Sequence, residues 1–241
     1  MANSKCLNWF FGRGLSISCG LPWVVPPEWA SLPRETKIKR IKDALRGEMD
    51  GPFVDTTPIR RLLYLLEQHT LPNWKHYFIS TNWDYLLQRE IQALHLAVRP
   101  PWLRNSHVFH LNGTVEELAD NSNRSQFLLE EDPASQRSGT VEAKKAYNHI
   151  VWSQYFVVIG MSFECETDKF LLSALNRVED DMAIGESDWI IINPDRSALE
   201  ASSGRIAAAL PRASVRSVCF SLEGWLDRKM PELREYGVLS S

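Results

Sequence analysis

NWFFGRGLSISCGLPW, residues Asn8 to Trp23, is the stretch on which the fold turns. Its apolar opening, Leu7 followed by Trp9, Phe10 and Phe11, predicts a short buried strand. The run breaks at Gly12-Arg13-Gly14, passes Ser16 and reaches Gly20-Leu21-Pro22. A strand that breaks into glycines and reopens as a helix turns backbone N–H groups toward an anion. Gly12 and Gly14 have no Cβ, so they permit a tight turn and the close approach of a phosphate. The full G-x-G-x-x-G fingerprint is not met, because position 17 is Ile17. A plain strand–turn–helix without a ligand is the other reading of the same residues.

The pattern repeats along the chain. Short β-rich apolar runs occur at His76 to Thr81, His107 to Leu111, Tyr155 to Ile159, Asp188 to Ile192 and Ser214 to Phe220. Between them lie helical patterns at Glu35 to Leu45, Thr57 to Glu67, Tyr85 to Leu94, Val141 to Trp152, Thr167 to Val178 and Ser197 to Leu210. A last helix is expected over Leu222 to Leu233. The lysines and arginine of the first of these helices read as a solvated face. Strands alternating with helices predict an α/β chain, Rossmann-like, with a mostly parallel sheet and helices on both faces. The polar stretch of about 115–140 is expected to be an inserted flap, leaving residues 1–241 as one domain.

Composition narrows the function class. A net charge of −3 offers no electrostatic footprint for nucleic acid or an anionic membrane. The chain contains no apolar run long enough to span a bilayer, and MANSKCLNWFF lacks the pattern of a secretory signal. Cys6, Cys19, Cys165 and Cys219 are scattered, which suggests neither a disulfide framework nor a zinc ribbon. A cytoplasmic protein with reduced thiols and no metal is the expectation.

Five strand tips are small or polar: GRG, NWD, NGT, GMS and NPD. Gathered along one edge of a parallel sheet, such tips make a cleft suited to a nucleotide. Asn82 and Asp84 are therefore candidate site residues, although a turn and a helix cap would use the same pair. His110 and Asn112 fall on one side of an extended segment, about 7 Å apart.

Taken in order, the five tips resemble the Sir2 family, whose sheet holds NAD. The family's G-A-G-x-S and G-[IL]-P correspond to Gly12-Arg13-Gly14-Leu15-Ser16 and Gly20-Leu21-Pro22. Its T-N-x-D corresponds to Thr81-Asn82-Trp83-Asp84, its H-G-[ST] to Asn112-Gly113-Thr114, its G-x-S to Gly160-Met161-Ser162, and its I-N to Ile192-Asn193. The resemblance runs over roughly residues 5–226 and is nearest to Sir2-like proteins of bacterial anti-phage defence, many of which degrade NAD. Two departures stand out. The paired cysteines of the zinc-binding deacylases have no counterpart between Gly113 and Tyr155, so a zinc module is not expected. The family's catalytic histidine corresponds to Asn112, and the alanine of G-A-G to Arg13.

The resemblance implies NAD+ as substrate or ligand, cleaved to ADP-ribose and nicotinamide. Asn82 would hold the nicotinamide or the attacking water, with Asp84 supporting it. Gly12, Arg13, Gly14 and Ser16 would meet the diphosphate, and Gly160, Ser162 and Asn193 the phosphate or ribose side. Trp23 and Trp83 would help to close the pocket. Asn112 can hydrogen-bond ribose hydroxyls but has no proton to trade near neutral pH. His110 would supply a base if its strand is bulged; otherwise it is a core or edge histidine. Arg13 would pair with a phosphate, or instead fill the site or bridge a carboxylate. The alternative is a catalytically degenerate Sir2-like module that binds a nucleotide or a partner without turnover. The partner implied is a second copy of the chain or a neighbouring defence subunit.

Overall fold

The computed structural model describes residues 4–116, 127–133, 136, 140–151, 153–181 and 187–240. Its centre is a six-stranded sheet in the order β3-β2-β1-β4-β5-β6. The strands are β1 (Lys5–Phe11), β2 (Trp74–Ser80), β3 (Leu103–His110), β4 (Tyr155–Ile159), β5 (Asp188–Ile192) and β6 (Ser214–Val218). All five neighbouring pairs are parallel. Strand order reverses between β1 and β4, and in open α/β sheets that switch point is where the tips leave a crevice.

The faces follow from side-chain alternation. Leu7, Trp9 and Phe11 lie in one core, and Phe10 lies in the other. The first core is roofed by α1 (Arg13–Ser18), α2 (Arg34–Met49), α3 (Thr57–His69) and α4 (Leu86–Val98). The second is roofed by α5 (Val141–Ile150), α6 (Glu166–Asp181) and α7 (Arg196–Ala209). Trp9, Phe11 and Phe78 stack at centroid distances of 6.1–6.2 Å and are buried. Burying each such ring contributes about 1.5–3 kcal/mol.

The chain departs from the sequence expectation in two places. The last helix is two short ones, α8 (Leu222–Asp227) and α9 (Pro231–Glu235), separated at Lys229 and Met230, which have φ of 56° and 50°. Pro231 explains the break, since its ring has no N–H to donate and collides with the carbonyl four residues back.

Second, the cations of α2 are only in part a solvated face: Lys39 and Arg40 are exposed, but others have partners. Arg34 donates to both carboxylate oxygens of Asp132 at 2.9 and 2.7 Å and to the Phe127 carbonyl at 3.0 Å. Lys37 pairs with Glu131 at 2.6 Å, Lys42 sits 5.4 Å above the Phe127 ring, and Arg46 donates to the Val115 carbonyl. Arg34, Lys37 and Lys42 together grip an arm, residues 127–132, whose Phe127, Leu128 and Leu129 are buried.

That arm falls within the stretch of about 115–140 expected to be an inserted flap. Residues 117–126, 134–135 and 137–139 of the flap lie outside the described residues. Among the described residues, no helix is long and apolar enough to cross a membrane.

Candidate functional site

At the switch point the tips of β1 and β4 touch. Gly12 N–H donates to the Ile159 carbonyl and Gly14 N–H to the Gly160 carbonyl, both at 3.0 Å. A Cβ on Gly14 would lie 2.4 Å from Gly160 Cα, and one on Gly12 would lie 2.6 Å from Gly160 O. The glycines are thus required by the crossing of two backbones. Gly160 itself has φ of 62°, where a side chain would be strained.

This revises the phosphate expectation for the first tip. The Gly12 and Gly14 N–H groups are spent on β4, and Leu15 N–H donates back to Gly12 O at 3.0 Å. They are not directed at an anion. Arg13 is exposed at the head of α1, with one long contact to the Pro22 carbonyl at 3.4 Å.

Beyond these tips opens a cleft of about 920 Å³. It brings together Gly12, Arg13, Gly14, Ser16, Asn82, Asp84, Asn112, Gly160, Ser162 and Asn193, every predicted site residue except His110. Trp23 and Trp83 line it as well. The residues come from the tips of β1 to β5 because parallel strands end on the same edge.

A relay crosses the cleft floor. Asn82 Nδ2 donates to Gly12 O and to Ser16 Oγ, each at 2.9 Å. Ser16 Oγ donates in turn to Asp84 Oδ2 at 2.6 Å. Asp84 Oδ1 accepts from Leu86 N–H at 3.2 Å, so one carboxylate both steadies the start of α4 and supports Asn82 through Ser16. Burial raises the Asp84 carboxyl above its ordinary range, against the opposing pull of the Ser16 bond. Both Nδ2 hydrogens of Asn82, which lines the cleft, are thus used within the protein.

Asn112 is held from two sides. Its Nδ2 donates to Thr81 O at 2.7 Å, and its Oδ1 accepts from Thr167 Oγ1 at 2.6 Å. Ser162 Oγ and Asn193 Oδ1 accept from backbone N–H groups two residues on, at 3.3 and 2.9 Å, shaping their own turns.

His110 does not line the cleft. It is 3% exposed and stacks on Tyr85 at 6.1 Å. The register irregularity between β2 and β3 falls at His76/Phe78, near the start of the pairing and away from the tip. Burial drives the His110 pKa down to about 4, with His107 adding to the shift and the Asn82 backbone opposing it. Neither ring nitrogen makes a well-formed hydrogen bond. His110 is the neutral core histidine of the two readings, not a base at the tip.

Several cleft residues were not singled out in the sequence. Thr167 and Asp168 open α6, where Asp168 Oδ2 accepts from Phe163 N–H at 3.2 Å. Their signal was a helix start, which places them five and six residues after the G-x-S tip that ends at Ser162. Glu130 arrives on the arm gripped by α2, and nothing in its polar neighbourhood marked it. Cys165 also lines the cleft, but burial, reinforced by Asp168, pushes its thiol up to about 12, far from a thiolate at neutral pH.

No protein-family model matches the chain, and no curated protein matches it. Solved structures do. One, described as the structural basis for the mechanism and regulation of Sir2 enzymes, shares 15% identity at a TM-score of 0.52, over 96% of this chain and 94% of its own. Another, a Sir2 protein with a p53 peptide and NAD+, shares 15% identity at a TM-score of 0.53, over 98% of this chain and 95% of its own. At that identity the likeness speaks for architecture alone: the chain has a Sir2-like, Rossmann-type α/β fold.

Proposed function

We propose that the cleft binds NAD+ and that the chain hydrolyses its nicotinamide–ribose bond, giving ADP-ribose and nicotinamide. The observation that carries this is Asn82. The Gly12 carbonyl and Ser16 fix its amide nitrogen, the residue lines the cleft, and its amide oxygen is left as the acceptor we assign to the ligand. A fixed acceptor at this point suits a carboxamide N–H of nicotinamide or an attacking water, and needs no reorganisation during reaction. The cleft volume fits a ligand of this class. In this arrangement the diphosphate meets the Arg13 guanidinium rather than the N–H groups of Gly12 and Gly14. The resemblance of the five strand tips supports a setting in anti-phage defence, with a second copy or a neighbouring subunit as partner.

A second reading, a nucleotide-binding module without turnover, is favoured by one arrangement. The family's histidine position is an asparagine bonded on both sides, and His110 is walled off. One experiment separates the two. The purified chain and Asn82→Ala are incubated with NAD+, and nicotinamide and ADP-ribose are followed by chromatography, alone and with the neighbouring subunit. Release that the variant lacks supports hydrolysis. NAD+ that binds and stays intact supports the module, and absence of binding removes both readings.

A further inference from the structure

The tips of β2 and β3 carry Asn82 and Asn112, and one residue of the arm bridges them. Leu128 N–H donates to the Asn112 carbonyl, and the Leu128 carbonyl accepts from Trp83 Nε1, both at 2.9 Å. Leu128 is 0% exposed, so breaking either bond strands a backbone group away from water. Trp83 stands between Asn82 and Asp84 and lines the cleft with them. Its ring stacks on Phe127 at 5.2 Å, and its own carbonyl accepts the Val115 N–H at 2.9 Å.

Both holds on Trp83 lead back to α2. Arg34 closes the arm on itself. Its guanidinium donates to the Phe127 carbonyl at one end and to both carboxylate oxygens of Asp132 at the other. Asp132 Oδ2 also accepts the Leu129 N–H at 2.8 Å, which draws the middle of the arm into the same knot. A planar guanidinium has the fixed fork of donors that this double grip needs, and an ammonium does not. Further along α2, Arg46 donates to the Val115 carbonyl. Neither Arg34 nor Arg46 lines the cleft.

We infer that Arg34 is a positioning residue for this site. By closing the arm it sets Leu128, through Leu128 the indole of Trp83, and with Trp83 the adjoining Asn82, whose amide is held from the other side by Gly12 and Ser16. The inference rests on the NAD+ reading above. Each step is a hydrogen bond or a ring contact between buried or half-buried groups, a contiguous path along which a displacement is carried rather than absorbed. A shift of about 1 Å in a group that orients the ligand can cost about 10²-fold.

The test measures NAD+ affinity by calorimetry, and kcat and KM for nicotinamide release, in wild type, Arg34→Ala, Trp83→Phe and the double variant. Trp83→Phe keeps a ring on Phe127 and removes the donor to Leu128. Arg216→Ala, which breaks the ion pair with Glu235 at the far edge of the sheet, controls for the plain loss of an ion pair. Thermal unfolding confirms that each variant is folded at the assay temperature. The expected result is a fall in NAD+ affinity of about tenfold in each single variant, with kcat falling alongside, and no more than about a further threefold in the double variant, because both changes break one connection. Arg216→Ala binds as wild type does. The affinity measurement decides alone if the chain binds NAD+ without turnover. Arg34→Ala that binds within about twofold of wild type, with kcat unchanged, overturns the positioning role and leaves the NAD+ reading intact. Losses that multiply to about a hundredfold in the double variant also overturn it, since Arg34 then does not act through Trp83. So does an equal loss in Arg216→Ala. Wild type that binds no NAD+ overturns the NAD+ reading and the positioning role with it.

Discussion

Asn82 Nδ2 lies 2.9 Å from Ser16 Oγ, a contact that joins the tip of β2 to the first turn after β1 across 66 positions of sequence. Ser16 is both acceptor from Asn82 and donor to Asp84, so it is the pivot of the relay. Ser16→Ala removes both bonds and leaves a buried carboxyl without its hydroxyl donor. The expected cost is about 1–3 kcal/mol of stability, together with weaker NAD+ binding. Urea denaturation and calorimetry check the two effects.

Gly14→Ala would set a methyl 2.4 Å from Gly160 Cα, where neither backbone can yield without separating β1 from β4. A loss of about 2 kcal/mol or more is expected, or failure to fold. Gly204, inside α7, has open space around the same position. Gly204→Ala should stabilise by about 0.5–1 kcal/mol. Equal effects of the two substitutions in thermal unfolding would contradict the close crossing.

Two buried histidines make the fold sensitive to acid. His76 accepts the Trp9 indole N–H at Nδ1, 2.8 Å, and burial lowers its pKa to about 3. His110 lies at about 4. Both sit below the unfolded value of 6.5. Above that value neither state is protonated and neither histidine alters stability. As pH falls below it, the unfolded chain takes up protons that the folded chain refuses. Stability then declines by up to about 1.4 kcal/mol per pH unit for each histidine, until the folded values are reached. Asp84, raised by burial, acts in the opposite sense, giving stability that is lost as pH rises through its folded value. Urea melts at pH 5 and pH 7 should show the net decline on acidification, and His110→Leu should flatten it by about one proton.

Arg34→Ala releases the arm. Asp132, whose side chain is 6% exposed, then loses its guanidinium partner, and the Phe127 carbonyl loses a donor. The Arg34 side chain is 39% exposed, which screens part of the pair. A cost of about 1 kcal/mol is expected. Limited proteolysis should cut the variant within residues 127–133 faster than wild type, and equal rates would argue that α2 does not hold the arm.

What the sequence determined by itself was local and periodic. Trp9-Phe10-Phe11, YFVVI and DWIII are apolar enough to be strands buried on both faces, and the helical patterns between them leave a parallel sheet as the outcome. Polar strand tips on such a sheet must share one edge, so the membership of the cleft was legible before its geometry. The tertiary structure alone decided which atoms remain available there. Gly12 and Gly14 look like a phosphate cradle in sequence, but their N–H groups are consumed by β4, whose arrival no local pattern records. His110 and Asn112 share a side of an extended strand, yet β3 ends at His110, and burial leaves one ring in the core and one amide at the cleft. Lys37, on the basic face of α2, looked solvated because its partner Glu131 is 94 positions away. Propensity and periodicity act over a few residues and specify the elements. Hydrogen-bond partnership and burial depend on contacts between segments far apart in the chain, and those are fixed only when the sheet closes.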